Sequence, residues 1–312
     1  VSHTVFDTFQ SSTPGPHVVS IGTFDGVHLG HQYLLSQAAA RAGELDQPLL
    51  AVTFEPYPAQ VIRPESFQGR LNTPEDKLRR LWATGLDDVL VVPFTRDLMM
   101  ESPETFLGKL VDSTHPSEVW VGEAFALGRN RVGDVKRLTE IGQEMDFRLV
   151  AVPRREFDGQ VVSSSRIRQE VLAGKADLAA TLLGYPYRIS GEVVGGAQVG
   201  RKIGFPTANV EPPEHLVSLP DGIYATIATI GDEQESHQAM TYIGTRPALN
   251  TGARQIETHL LDFAGDLYGK TLHTDFVERL RPDSNFPSVD ALIAQLKQDE
   301  VTTRAVLSQR AS

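Results

Sequence analysis

His17-Val18-Val19-Ser20-Ile21-Gly22-Thr23-Phe24-Asp25-Gly26-Val27-His28-Leu29-Gly30-His31 is the stretch on which the reading of this chain turns. Its first half is β-branched and apolar, which predicts a strand over His17–Phe24. From Leu29 onward the pattern is helical. Glycines at such a strand-to-helix junction let backbone N–H groups approach an anion, and the helix N-terminus behind them favours negative charge. His28 and His31, three apart at the helix start, face one side and are able to donate to a phosphate oxygen. An isolated pair of this kind is also compatible with a Gly-rich turn carrying two exposed imidazoles. The strand before, the helix after and Phe24-Asp25-Gly26 in front favour the phosphate cradle.

Working outward, further strands are expected at Leu49–Phe54, Val89–Phe94, Val119–Gly122 and Leu149–Val152. Helices are expected to begin near Leu29, Thr73, Ser102 and Asp134. Thr73-Pro74 and Ser102-Pro103 each read as an N-cap followed by proline at the first helical position. This alternation implies an α/β fold, a doubly wound parallel sheet wrapped by helices. One helix, Ser165 to Leu183, closes the unit, with Gly184 as its stop. After Tyr185 the texture changes to short alternating segments: Tyr187–Val194, Gly222–Ile230, Gln238–Ile243, Gln255–Phe263 and Leu272–Leu280. Turns such as Gly195-Gly196 and Pro212-Pro213 separate them, which predicts a small antiparallel β-barrel. Ser288 then caps a terminal helix running to about Leu307. The domains are therefore expected to be residues 1–185 and 186–312.

At 312 residues the chain exceeds a comfortable single core, in keeping with two domains. It has no run of 18 apolar residues to span a membrane, and its first residues show no basic-then-apolar leader pattern. Without cysteine it has no disulfide, no thiolate chemistry and no Cys-based zinc site, and a cytoplasmic setting is expected. The net charge of −11 is spread over both halves, which argues against nucleic-acid and anionic-membrane partners. Nucleotides need only a local cradle of donors and remain open.

A second motif, Val162-Ser163-Ser164-Ser165-Arg166-Ile167-Arg168, stands at the start of the closing helix. Hydroxyls and free N–H groups at a helix start, with arginine one turn in, suit a polyphosphate. Alone, three serines are also an ordinary cap and Arg168 an ordinary solvated helix residue.

The pairing of Gly-x-Phe-Asp-Gly-x-His-x-Gly-His with Ser-Ser-Ser-x-x-Arg resembles the bacterial bifunctional riboflavin kinase/FMN adenylyltransferase family, also called FAD synthetase. The resemblance spans roughly residues 17–300. It extends to Thr53-Phe-Glu-Pro56, Arg131-x-Gly133-Asp134, Gly200-Arg-Lys-Ile-Gly-Phe-Pro-Thr-Ala-Asn209 and Leu219-Pro-Asp-Gly-Ile-Tyr224. Ile243-Gly-Thr-Arg-Pro247, Glu257-Thr-His-Leu-Leu-Asp-Phe263 and Leu267-Tyr-Gly-Lys270 also match. It implies an N-terminal nucleotidyltransferase domain and a C-terminal riboflavin-kinase barrel. Riboflavin, FMN and ATP are then the partners, with Mg²⁺ as cofactor. It places Gly22, Phe24, Asp25, Gly26 and Ser163 to Ser165 at the nucleotide, with His28, His31 and Arg168 acting on its phosphates. In the barrel, Thr207 and Asn209, two apart on an extended segment, offer hard oxygens to Mg²⁺ and ATP. Gly195, Gly196 and Gly200 suit a flap over the nucleotide. By itself Pro206-Thr207-Ala208-Asn209 reads as an ordinary turn. Glu257, among apolar neighbours, is either a stray exposed acid or a placed base, and the resemblance assigns it deprotonation of the ribityl hydroxyl. Arg281 matches an arginine near the flavin, and a surface role stays open for it. His259 is expected to be structural.

The chain departs from the family pattern in two places. Glu123-Ala124-Phe125-Ala126-Leu127-Gly128 lacks the polar and larger residues usual around its Phe, and Tyr57 stands where a histidine is usual. Both segments resemble walls around the flavin ring, so weakened use of FMN is expected, with a kinase-only enzyme as the alternative. A flavin- and nucleotide-binding regulator without activity is the other rival.

Overall fold

The parallel sheet is built from strands β1 (Thr4–Phe6), β2 (His17–Ile21), β3 (Leu49–Glu55), β4 (Asp88–Pro93) and β5 (Pro116–Gly122). Two short strands, β6 (Ala126–Leu127) and β7 (Gly133–Asp134), pair with each other before β8 (Arg148–Val152) completes the sheet. The structure is a computed structural model, and it describes residues 3–9, 15–196, 199–233, 235–245 and 254–310. Sheet order is β1-β4-β3-β2-β5-β8, every pair parallel. The helices are α1 (Leu29–Leu45), α2 (Pro58–Ile62), α3 (Pro74–Trp82), α4 (Arg96–Met100), α5 (Pro103–Thr114) and α6 (Val135–Glu144). Thr73 and Ser102 cap α3 and α5 through their side chains, as expected, and Asp134 caps α6 in the same way.

Both faces of the sheet are covered. Val18, Leu49 and Val89 pack with Leu35 and Ala38 of α1 and Leu81 of α3. Val19, Val52 and Val121 pack on the other face with Leu107 of α5 and Ile141 of α6. Alternation on central strands thus feeds two cores, the signature of a doubly wound sheet. The chain runs outward from β2 to β3 and β4, then returns to place β5 on β2's other side. The gap above β2 and β5 is therefore the topological switch point, where ligands of such sheets bind.

Contacts divide the chain into Val1–Ser164 and Ser165–Ser312. A small hairpin, β9 (Glu156–Phe157) and β10 (Gln160–Val161), precedes that point. The single closing helix expected over 165–183 is two, α7 (Ser164–Leu172) and α8 (Ala176–Leu183). Gly174 breaks it with φ +77°, and a Cβ there would meet Pro220 at 2.9 Å. Helix α8 packs on barrel strands and ends at Gly184 in the left-handed region, the expected stop.

The second unit is a closed antiparallel barrel of β11 (Tyr187–Val194), β12 (Ala208–Val210), β13 (Gly222–Ile230), β14 (Ser236–Thr245), β15 (Arg254–Leu260) and β16 (Thr271–Pro282). Its order is β11-β12-β15-β14-β13-β16. A four-residue helix α9 (Val199–Lys202) lies between β11 and β12, and α10 (Val289–Arg310) ends the chain. Thr226, Thr241 and Thr258 form a ladder of hydroxyls on adjacent strands, at 2.8 and 3.1 Å, completely buried. Alternation therefore turns Glu257 and Tyr242 to the opposite face. Phe205, Ile223 and Met240 pack there with Ile293 and Leu296 of α10.

Candidate functional site

The loop from Gly22 to His28 sits above the switch point. The strand stops at Ile21, three residues earlier than expected, because Phe24 (φ +48°), Gly26 (+80°) and Val27 (+34°) turn left-handed. Phe24 is fully buried and its ring comes within 2.8 Å of where a Gly22 Cβ would be, so Gly22 allows the close approach. What Phe24 presents to a ligand is backbone alone. Asp25 is buried as well, its carboxylate accepting the Leu71 N–H at 2.8 Å. Its carbonyl accepts from Ser164 Oγ at 2.8 Å, which joins the two sequence motifs in one place. Ser163 is half-buried beside it in sequence and Ser165 is exposed. Arg168 lies on α7 in the second contact unit and is buried.

His28 is the N-cap of α1: its Nδ1 accepts the N–H groups of Gly30 (3.1 Å) and His31 (3.4 Å). That capping role leaves the proton of the neutral ring on Nε2. The His31 ring stacks on it at 3.7 Å between centroids, and its Nδ1 is buried without a partner. Burial pushes His28 down from 6.5 to about 4, and burial together with the neighbouring His28 pushes His31 well below its ordinary value. Both rings are thus neutral donors at physiological pH, not the exposed imidazoles of the alternative reading.

These shifts carry a stability consequence. Between pH 6.5 and about 4 the unfolded chain binds a proton that folded His28 refuses. Stability therefore falls as the pH drops through that window, by about 3 kcal/mol from His28 alone. His28→Asn keeps a capping oxygen and removes the titration. It is expected to flatten the acid limb of urea midpoints followed by tryptophan fluorescence, since Trp82 and Trp120, the only tryptophans, both lie in the first unit. An unchanged acid limb would refute the buried neutral ring.

The segment that departs from the family pattern lines a recess of about 350 Å³ with Ala124, Phe125, Ala126, Arg131 and Lys136. Arg131 Nη2 donates to the Ala124 carbonyl at 3.1 Å. Tyr57 precedes α2 and its ring lies 5.8 Å from that of Phe67.

In the second unit a cavity of about 310 Å³ lies between the outer barrel face and α10. Ile203, Phe205, Tyr242, Phe286 and Leu296 give it apolar walls, and Thr207, Glu257, His259 and Arg281 supply polar groups. Glu257 is buried, not a stray surface acid, and stands in register between Asn209 on β12 and Tyr242 on β14. Side chains directly opposite across antiparallel strands share a face, so Asn209 and Glu257 do. Thr207 Oγ1 donates to Glu257 Oε2 at 3.1 Å. A Cβ on Gly196 would come within 2.1 Å of the Asn209 amide, and one on Gly200 within 2.2 Å of the Phe205 carbonyl. Clearance, therefore, requires glycine at both positions. His259 is held by Pro206 O at 2.7 Å and by an edge-on contact with Phe205, and no metal-holding cluster of His, Asp or Glu occurs among the described residues. Arg246 and Pro247 of the Ile243–Pro247 motif lie outside the described residues.

Sequence reading missed Asp299. Buried on α10, it receives Arg281 Nε at 3.0 Å and Nη2 at 2.8 Å, while Arg281 Nη1 goes to Pro282 O and Ser284 Oγ. Arg281 is thus fixed against the cavity with most of its donors spent, and its charge and flat face are what it offers. An acid in a helix of mixed polarity gives no signal that it will be buried.

The sequence pattern described as FAD synthetase matches residues 10–166, and that described as riboflavin kinase matches residues 183–307. The chain is 38% identical over 300 residues to the bifunctional riboflavin kinase/FMN adenylyltransferase of Pseudomonas fluorescens, covering 94% of each. It is 36% identical over 288 residues to that of Escherichia coli K12, covering 92% of this chain and 91% of the other. A crystal structure of a macrolide-efflux protein from Streptococcus pneumoniae aligns with a TM-score of 0.88 at 27% identity, over 97% of this chain and 99% of that one. No described helix here is long and apolar enough to cross a membrane. With both patterns matched in order and relatives similar along nearly their whole length, the chain belongs to the bifunctional riboflavin kinase/FMN adenylyltransferase family.

Proposed function

We propose that this chain makes flavin cofactors in two steps, riboflavin to FMN at the barrel cavity and FMN to FAD at the Gly22–His31 loop, with the domains divided as 1–185 and 186–312. The observation that carries the first step is the Thr207–Glu257 hydrogen bond in the wall of an apolar cavity. Glu257 takes the proton from the terminal ribityl hydroxyl while that oxygen attacks the γ-phosphorus of ATP and ADP leaves. Thr207 orients the carboxylate, and the apolar walls hold the ring system and exclude water. The hydroxyl, amide and carboxylate oxygens of Thr207, Asn209 and Glu257 suit a hard divalent cation shared with phosphates. Mg²⁺ held there by Thr207 and Asn209 would neutralise phosphate charge.

In the second step an FMN phosphate oxygen attacks the α-phosphorus of ATP and pyrophosphate leaves. The nucleophile is already ionised and needs no base. The demand falls on charge developing at the α-phosphate, which the Nε2–H of His28, His31 and the Arg168 guanidinium would meet. Preformed neutral donors in a desolvated loop serve this without reorganising.

Incubating the protein with riboflavin and Mg-ATP and separating the products by chromatography tests the reading: FMN appears first, then FAD. Absence of FMN overturns it and would leave a flavin-binding regulator. A weakened second step remains a distinct reading, favoured by the alanine-lined recess. One lost buried hydrogen-bond partner for the flavin weakens binding by about 1–3 kcal/mol. The combined change Ala124→Asn, Ala126→Arg and Leu127→Phe is then expected to raise FAD formation at low FMN concentration. If the unaltered enzyme already has a low-micromolar KM for FMN and the change is neutral, this second reading fails.

A further inference from the structure

The loop that aims His28 is conformationally expensive. Three of its residues lie in the left-handed region, and one, Val27, is β-branched, for which that region is an outlier. Such a backbone persists only where surroundings over-determine it. Two ties come from outside the loop. Leu71 N–H donates to Asp25, and the Thr53 hydroxyl at the end of β3 donates its single proton to the Thr23 carbonyl at 3.2 Å. Thr53 Oγ1 in turn accepts from Lys77 Nζ at 3.3 Å.

Lys77 is buried inside the unit on α3. Its ammonium spends its remaining donors on Glu55 Oε1 at 2.7 Å and the Phe54 carbonyl at 3.2 Å, so it has nothing left for a ligand. Arg70 shares Glu55 from the other side, Nη2 to Oε2 at 3.1 Å. Two buried cations thus share Glu55, and Lys77 also interacts with the Asp25 carboxylate of the loop itself. Replacing a buried ion pair with apolar side chains of similar volume is often neutral or stabilising. Stability alone is therefore a poor reason for an ammonium here, and geometry is a better one.

We propose that Lys77 is a positioning residue for adenylyl transfer, holding the Thr53 hydroxyl on the Thr23 carbonyl and thereby fixing the strained loop that presents His28. Thr53 has one proton and two acceptor directions. With Lys77 occupying an acceptor direction, the proton is committed to Thr23, and the loop cannot relax without breaking that chain. Released, the loop would let water reach His28, and the ring would lose both its aim and its resistance to protonation.

The inference rests on the function proposed above, and the test separates the two. Lys77→Met and Thr53→Val are made singly and together; Met fills the space and leaves Glu55 paired with Arg70. FMN formation in the second unit measures active chain in each preparation, and Trp82 and Trp120 report folding of the first unit. The kcat for FAD formation is expected to fall about 10–100-fold in each single variant, with the double variant no worse than either, because both cut one chain. His28, followed by imidazole NMR, is expected to titrate near 6.5 in the variants and far lower in the parent. If folded Lys77→Met keeps its kcat and His28 still resists protonation, the proposal is overturned; additive losses overturn it too. Should Lys77→Met not fold, Thr53→Val decides by the same two readouts. A parent that makes no FAD refutes the proposed function, while the His28 titration still tests the buttress.

Discussion

Glu257→Gln is expected to lower FMN formation by about a hundredfold to ten-thousandfold, the range for loss of a general base. The substitution is nearly isosteric, and the glutamine oxygen still accepts from Thr207, so the cavity wall should keep its shape. Among the described residues, no other carboxylate lines that cavity except Asp283, which receives the Tyr242 hydroxyl at 3.1 Å. Because the proton moves in the transition state, the loss should fall on kcat with KM for riboflavin little changed. FAD formation from supplied FMN should stay near that of the parent. A variant that phosphorylates riboflavin within about threefold of the parent would remove Glu257 from the mechanism.

The mirror experiment changes His28 and His31 together to alanine. Each lost donor to developing phosphate charge is worth about 3 kcal/mol by analogy with oxyanion donors. FAD formation from FMN should therefore disappear into the background. FMN formation should survive, because Glu257 and its cavity belong to the other compact unit. Alanine at position 28 also removes the cap of α1, a cost of about 1 kcal/mol in stability. The His28→Asn variant, which keeps a cap without the imidazole, separates that cost from the catalytic one. Equal loss of both activities would mean that the two sites work as one.

The sheet and barrel were legible because their long strands are strongly patterned. Tyr187–Val194 and Gly222–Ile230 fall where alternation predicts them, and the caps at Thr73 and Ser102 start the helices they announce. Strands of three residues, Thr4–Phe6 and Ala208–Val210, are too short for any period to register. The break at Gly174 was hidden for a related reason, since one glycine within a helical pattern does not announce a stop.

The site divides along the same line. Spacing at a strand-to-helix junction pointed to His28 and His31, whereas Thr207, Asn209 and Glu257 stood out only through the resemblance to the family, their residue types alone leaving a turn and a stray acid open. Their chemical state was legible in neither. That His28 is neutral with its proton on Nε2 follows from burial and from the cap it makes. That the Asp25 carboxylate is spent on Leu71 follows from a partner 46 residues away. Lys77 with Thr53, and Asp299 with Arg281, could be paired only by packing. Sequence supplies the charges, but desolvation by the folded surroundings decides which of them become fixed, partnered and functional.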